Sequence, residues 1–205
     1  MSANSPTTPS LVLPAANALL PNDPLPLLKW SAVTLPAGTE LEYYQVQVDN
    51  DSDFSSPVLN DTSITDRLTV QFQMTPPLDH NTKFYWRVRA VNKFNEEGNW
   101  STVRTFRTKI DPPGAVAPVD GATGVAKQPL LDWSDVPGNS GYVLQVYKKG
   151  ATPVLVKSVT LAKDVSQYQF LTSLLANTEY YWKVQTKGTN GPSLWSENFD
   201  FTTTP

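Results

Sequence analysis

Few residues of this 205-residue chain have the chemistry of a catalyst. Its single histidine, His80, follows a proline-rich stretch, and no motif places an oriented serine nucleophile beside it. The chain has no cysteine, which excludes disulfides, zinc–thiolate sites and cysteine nucleophiles. No glycine-rich phosphate-binding loop follows an apolar run. We therefore expect no enzymatic activity, no catalytic residue, no cofactor and no metal.

The segment that comes nearest to a metal site begins at Asp49. Asp49, Asp51 and Asp53 alternate as the first ligands of a calcium loop do. The motif then fails, because Phe54 stands at the sixth position, where glycine is needed, and Asn60 at the twelfth, where a bidentate glutamate is needed. Calcium binding by the three aspartates is therefore kept only as an alternative.

Aromatic and polar side chains that project from one sheet face form the candidate ligand surface. Flat rings beside hydrogen-bonding groups could stack on the sugars of a polysaccharide. In the alternative that we favour, Trp100 folds over the guanidinium groups of Arg87 and Arg89, and this cation–π ladder only stabilises the sheet. The surface comprises Tyr85, Arg87, Arg89, Gln45, Gln47 and Trp100.

Alternating apolar and polar residues predict the strands that carry this surface. Tyr44, Val46 and Val48 alternate with Gln45 and Gln47, so the first three face inward. No stretch of ten residues has helical apolar spacing, which makes the fold class all-β. The inward positions supply the predicted core residues Trp30, Trp86, Trp133, Trp182, Tyr44, Tyr142, Tyr180 and Phe84.

Three signatures occur in the same order twice, so the chain is a duplication. Pro26–Trp30 is echoed by Pro129–Trp133, the run that contains Trp86 by the run that contains Trp182, and Trp100-Ser101 by Trp195-Ser196. The repeat predicts two domains of ordinary size joined by a stiff segment with two prolines. The predicted limits are 1–8 for a disordered N-terminal segment, 9–109 for the first domain, 110–114 for the linker and 115–205 for the second domain.

Each copy is expected to contain about seven short strands, enough for a two-sheet sandwich. In the first copy the predicted strands are 9–13, 26–31, 42–49, 56–59, 68–73, 82–92 and 102–108. In the second copy they are 114–118, 128–133, 141–148, 153–160, 166–171, 178–188 and 197–203.

These signatures resemble the fibronectin type III domain, in the tandem arrangement found in bacterial extracellular and surface proteins. The resemblance covers about residues 9–108 and 113–204, and it implies two immunoglobulin-like, seven-stranded β-sandwiches. It also implies that the segment from Asp49 is a turn with Phe54 packed beneath it. The family usually has a tyrosine where the penultimate strand begins, and its hydroxyl caps a nearby backbone group. Tyr180 fits this pattern, whereas Phe84 has no hydroxyl, so the first domain should lack that hydrogen bond.

The net charge and the apolar pattern limit the kinds of partner that the chain can have. The net charge is −3, with 9 basic against 11 acidic residues in 1–109 and 7 against 8 in 110–205, so a nucleic-acid partner is not expected. The apolar run Leu11–Leu20 is too short to span a bilayer and is broken by Pro14 and Asn17, so we expect no membrane insertion. Met1 is followed by no signal peptide, and we expect an excised fragment of a secreted protein rather than a cytoplasmic one.

The resemblance implies a non-catalytic spacer or adhesion segment of an extracellular or cell-surface protein. Its first partners would be neighbouring domains of the same polypeptide, with a protein or a glycan at the cell surface as further partners. Two alternatives remain open. One is a carbohydrate-binding accessory module of a polysaccharide-degrading enzyme, and the other is recognition of a protein partner through sandwich loops or an unpaired edge strand.

Overall fold

A computed structural model describes residues 5–21, 25–75 and 77–205. The chain divides into two compact units, Met1–Thr108 and Lys109–Pro205, each with its own hydrophobic core. All regular elements of the described residues are β-strands. The predicted all-β class, two immunoglobulin-like sandwiches in tandem, is confirmed.

The first domain has eight strands: β1 (Leu11–Leu13), β2 (Ala18–Leu20), β3 (Leu27–Trp30), β4 (Leu41–Asp49), β5 (Leu59–Ile64), β6 (Gln71–Gln73), β7 (Lys83–Asn92) and β8 (Arg104–Thr108). One sheet has the order β1-β3-β6 and the other β2-β8-β7-β4-β5. All pairs are antiparallel except β2 with β8.

The second domain repeats this plan with nine strands: β9 (Ala115–Ala117), β10 (Ala122–Val125), β11 (Leu130–Trp133), β12 (Asn139–Lys148), β13 (Val154–Leu161), β14 (Gln167–Gln169), β15 (Glu179–Gly188), β16 (Gly191–Trp195) and β17 (Phe199–Thr203). Its smaller sheet has the order β14-β11-β9. The larger one has the order β10-β17-β15-β12-β13, and β16 also pairs with β15.

Three strands were not expected from the sequence: β2, β10 and β16. In each copy the first strand is interrupted at a proline, Pro14 or Pro118, and the chain then joins the other sheet as β2 or β10, in parallel with the last strand. Proline has no N–H for a ladder, so a break in strand pairing at this residue has a direct cause. β16 contains Pro192 and two residues with small side chains, a composition typical of loops.

The strand expected at 56–59 lies instead at Leu59–Ile64. Its sequence, LNDTSI, is polar and lacks period-two alternation, because it forms a sheet edge that faces solvent on more than one side.

Large aromatic side chains fill both cores in the same arrangement. All eight predicted core residues are buried, with at most 2% of any side chain exposed. Trp30 packs edge-on against Tyr44 with ring centroids 5.4 Å apart, and Trp133 against Tyr142 at 5.6 Å. Such pairs contribute about 0.5 to 1.5 kcal/mol beyond the burial of their area.

Buried tyrosine hydroxyls hold loops onto these cores. Tyr180 accepts a hydrogen bond from the Leu175 N–H at 3.0 Å, which confirms the predicted cap. Phe84 occupies the equivalent place in the first domain and has no hydroxyl to offer. Tyr44 accepts from the Val33 N–H at 3.2 Å and donates to the Arg67 carbonyl at 3.1 Å.

The segments at the ends of the first domain are more ordered than expected. We expected residues 1–8 to be disordered, and residues 1–4 lie outside the described ones. Thr7 exchanges two hydrogen bonds with Thr34, at 3.0 and 2.8 Å, and Pro6 is buried. Ile110, which the sequence assigned to the linker, is buried in the core of the second domain because its apolar side chain finds a place there.

Candidate functional site

The candidate ligand surface lies on the outer face of the larger sheet in the first domain. β4 carries Gln45 and Gln47, and β7 carries Tyr85, Arg87 and Arg89. In the register of these strands Gln45 stands opposite Arg89 and Gln47 opposite Arg87. Period-two alternation places these side chains on the outer face, since Trp86 and Val88 between them point into the core.

Trp100 is held above this face by the serine that follows it. The Ser101 N–H donates to the Val88 carbonyl at 2.8 Å, and the Val88 N–H donates to Ser101 Oγ at 3.1 Å. Ser196 makes the same exchange with Val184 in the second domain, at 2.9 and 3.0 Å. The repeated Trp-Ser motif is therefore a device that fixes an indole ring over the neighbouring strand.

Trp100, Arg87, Arg89 and Phe54 form a continuous stack, which we call the arginine ladder. The Arg87 Cζ atom lies 4.2 Å and the Arg89 Cζ atom 4.6 Å from the Trp100 ring centroid. The Phe54 ring packs on Arg87 as well, with its centroid 4.0 Å from Cζ. Burial in this stack lowers the pKa of Arg87, and the neighbouring charge of Arg89 lowers it further. The predicted cation–π ladder is present, with Phe54 as an additional ring.

Hydrogen bonds use the polar groups of the same face. Arg87 Nε donates to Gln47 Oε1 at 2.9 Å, and Arg89 Nε donates to Gln45 Oε1 at 2.7 Å. The two glutamine amides then donate to Asn60 Oδ1, at 2.7 Å from Gln45 and 3.4 Å from Gln47. The groups that could have bound a sugar are thus engaged with one another.

Glu97 completes the network through an ion pair with Arg89. Sequence patterns gave no role to Glu97, and they did not place Asn60 on this surface. The cross-strand position of Asn60 on β5, opposite Gln47, could have indicated its contact if the course of β5 had been known.

Tyr85 lies at one end of the face and outside the arginine ladder. Its ring is half-buried, and the Lys83 Nζ atom lies 4.8 Å from its centroid. Its strand neighbours are Asp49 on β4 and Thr105 on β8. Tyr85 is therefore the one ring of the predicted surface that no arginine covers among the described contacts.

The three aspartates of the calcium motif cap the backbone of their own turn. Asp49 Oδ1 accepts from the Asp51 N–H at 3.3 Å, and Asp51 and Asp53 accept from the N–H groups of Ser52 and Ser55. Phe54, with φ of 58°, is buried under this turn, as expected. Within the described residues, no three His, Cys, Asp or Glu side chains converge on a metal position.

The second domain presents a different surface at the same place. Lys183 and Gln185 stand where the first domain has Arg87 and Arg89, and the Lys183 Nζ atom lies 4.8 Å from the Trp195 ring centroid. Tyr147 and Tyr181 stack on each other, with centroids 4.9 Å apart and planes 9° apart. Tyr147 also donates to Gln145 Oε1 at 2.9 Å.

His80 lies in an exposed position between β6 and β7, where its carbonyl accepts from Thr82 Oγ1 at 2.9 Å. No helix of the described residues is long and apolar enough to cross a membrane.

The topology and the internal repeat define a class of protein. The chain is a tandem of two immunoglobulin-like β-sandwiches, and this fold is typical of non-catalytic modules. Residues 14–110 match the family model described as "Rha78A-like, N-terminal immunoglobulin domain", so the match covers most of the first domain.

A search of curated proteins finds no significant match. Among solved structures, the chain is similar to the FN1-FN3 domains of chicken CNTN1, with 16% identity and a TM-score of 0.41. That alignment covers 98% of this chain and 69% of the other.

Proposed function

We propose that this chain is a non-catalytic extracellular spacer or adhesion segment within a larger surface or secreted protein. Its two domains each have a complete core, as modules that sit between other domains require. The family model that resembles the first domain is described as an N-terminal immunoglobulin domain, which by its name is one part of a longer protein.

The observation that carries this proposal is that the groups of the arginine ladder are already engaged with one another. Both guanidinium groups are stacked on Trp100, and both glutamines of the face are bonded to them. A sugar would have to break these contacts before it could use the same groups. The face therefore serves the stability of the sheet rather than recognition.

The segment between the domains suits a spacer. Pro112 and Pro113 fix two φ angles and remove two backbone donors, so the segment has few accessible conformations. Ile110 is buried in the second core, and the Gly114 N–H donates to Ser134 Oγ at 2.9 Å. Few residues are thus left free to act as a flexible tether.

Retention on insoluble polysaccharides tests the proposal. The chain and its Tyr85→Ala variant are passed over cellulose, chitin, xylan and peptidoglycan, and we expect neither protein to be retained. Binding of the unsubstituted chain that Tyr85→Ala abolishes, in a variant that keeps its unfolding transition, would show that the first domain is a sugar platform and that the spacer role is incomplete.

A second candidate function is carbohydrate binding through the second domain. The specific observation is the half-buried pair Tyr147 and Tyr181, which lies beside the amine of Lys183 and is not covered by a tryptophan in the described contacts. Aromatic rings beside an amine and an amide have the mixed chemistry that stacks on and hydrogen-bonds to sugars. In the same retention experiment, binding lost in Tyr181→Ala but kept in Tyr85→Ala would assign the function to this domain.

A further inference from the structure

The longest unprotected edge of the described sheets belongs to the second domain. β13 spans eight residues, Val154–Leu161, and ends the strand order of the larger sheet. One side pairs with β12 from Val154 to Leu161, with a shift of register between Leu155 and Lys157. No strand of the described residues pairs with the other side, so that side presents backbone N–H and C=O groups to solvent.

The equivalent edge of the first domain, β5, is shorter and polar. It has six residues, and Asn60 is engaged by Gln45 and Gln47. Asp61 places a carboxylate on the edge and accepts hydrogen bonds from the Ser63 N–H and Oγ, at 2.9 and 2.7 Å. A charge and a short length are two devices by which proteins prevent edge-to-edge pairing.

β13 has little of this protection. Its first three residues, Val154, Leu155 and Val156, are 55%, 49% and 41% exposed. Lys157 is the only charged residue of the strand, and its Nζ atom lies 5.4 Å from the Tyr168 ring of the same domain. The charge is thus directed toward β14 in the smaller sheet of the same domain, and the apolar triplet is left uncovered.

We infer that β13 is a self-association edge, at which a second copy of this chain pairs its own β13 in antiparallel orientation about a twofold axis. A twofold axis pairs the strand with an identical copy, so the free N–H and C=O groups of each copy meet the free C=O and N–H groups of the other. A twofold centred on Ser158 places Lys157 opposite Val159 of the second copy, so the two ammonium groups do not face each other. The exposed apolar triplet of each copy then lies opposite residues 160–162 of the other.

The small net charge of the second domain favours pairing with a second copy of the chain. Residues 110–205 carry 7 basic and 8 acidic side chains, so two second domains approach each other with little net repulsion. A single strand pair buries less than the roughly 1,600 Å² of a standard interface. We therefore expect a weak dimer, with a Kd on the order of 100 μM. This inference does not depend on the proposed spacer function.

Sedimentation of the full chain tests the inference. Between about 10 μM and 1 mM, a range that brackets the expected Kd, the mass average should rise toward that of a dimer. Ser158→Lys puts two introduced charges directly opposite each other at the twofold, where like charges oppose pairing. We expect it to weaken association at least tenfold while thermal unfolding stays unchanged, since Ser158 is exposed.

Thr62→Lys is the matched control, because it adds the same charge to an exposed position of β5. It should leave association unchanged. A chain that stays monomeric throughout this range would overturn the inference, as would association that Ser158→Lys leaves intact.

Cysteine cross-linking gives an independent readout, because the chain contains no cysteine. Residues that face each other in an antiparallel pair have Cα atoms about 4.5 to 5.5 Å apart, within the range that a disulfide spans. Under mild oxidation, Ser158→Cys should form a covalent dimer at least tenfold faster than Thr62→Cys. Equal rates would contradict pairing at β13.

Discussion

The two domains have cores of the same arrangement and differ in the side chains that they expose to solvent. Trp30 on Tyr44 in the first domain corresponds to Trp133 on Tyr142 in the second, with nearly the same centroid distance. On the outer face, two arginines under one indole are replaced by a lysine under an indole and a stacked pair of tyrosines. At the edge, a short polar strand is replaced by a longer apolar one.

This difference has a physical reason. Inward side chains interlock at close-packed density, so a change of shape at one position costs stability at several. Outward side chains meet solvent or each other, and many combinations satisfy them. A function that distinguishes the two domains should therefore lie on the outer face or at the edge, and the following changes test where the similarity ends.

The largest effect should come from Trp86→Ala and Trp182→Ala. Both side chains are fully buried, and we expect each loss to destabilise its own domain by about 3 to 5 kcal/mol through the cavity that remains. Trp182 also contacts Phe199 and Trp133, at 5.0 and 6.1 Å between ring centroids, so its loss should lie at the upper end.

Urea unfolding of the fragments 1–108 and 109–205 measures both values. We expect each fragment to fold alone, because each contains a complete core. Losses below about 1 kcal/mol would be too small for the cavity that a buried tryptophan leaves.

Alkaline pH should destabilise the second domain more than the first, because of Tyr142. Burial, followed by the hydrogen bond to Asp135, raises the pKa of Tyr142 to about 12. The unfolded chain releases this proton near pH 10, so the stability contribution is complete below pH 10 and is lost between about pH 10 and 12. At roughly 1.4 kcal/mol per pH unit, the loss is about 2 to 3 kcal/mol.

The matched measurement is the stability of Tyr142→Phe over the same pH range, because this variant removes the contribution of Tyr142 and leaves that of every other group. Burial raises the pKa of Tyr44 too, but the hydrogen bond from the Val33 N–H and then the charge of Arg67 oppose that effect, so Tyr44→Phe should change the pH profile of the first domain less. Parallel profiles for the chain and Tyr142→Phe would contradict the prediction.

Trp100→Ala should cost the first domain about 1 to 2 kcal/mol, because it removes two cation–π contacts at a half-buried site. Trp195→Ala should cost the second domain about 0.5 to 1 kcal/mol, since one lysine amine contacts that ring. Urea unfolding of the two fragments gives the comparison, and a larger loss for Trp195 would show that the arginine ladder is not the stronger device.

The sequence was sufficient for the fold class and the strand faces, because the Trp-centred signatures and the period of two are local. It was insufficient for β2 and β10, whose partner strands are distant in sequence, and for β16, a hairpin strand whose Gly-Pro-Ser composition is typical of loops. Propensity alone placed β5 too early, since its residues are held by the register with β4 rather than by their own preference.

The residues of the candidate surface were predictable from the sequence, but the contacts that engage them with one another were not. Arg87 and Arg89 could be placed on one face from spacing alone, and Trp100 was placed over them as a hypothesis. That Phe54 packs on Arg87 depends on the turn after β4, where a residue with φ of 58° directs its ring back to the sheet. Contacts of this kind are set by loop geometry, which period and composition do not determine.

The smallest effect concerns the hydroxyl that one domain has and the other lacks. Tyr180→Phe should cost about 1 kcal/mol, because the Leu175 N–H loses its acceptor. The same difference can be reversed in the first domain. Asp79 precedes Phe84 by five residues, as Leu175 precedes Tyr180. If the backbone there has the same course, Phe84→Tyr supplies the missing acceptor and should stabilise the domain by about 0.5 to 1 kcal/mol. Urea unfolding of both fragments decides the point. A stabilised first domain would show that this difference is one lost oxygen on a shared backbone, whereas destabilisation would show that the loop itself has diverged and that the similarity of the interiors ends at Phe84.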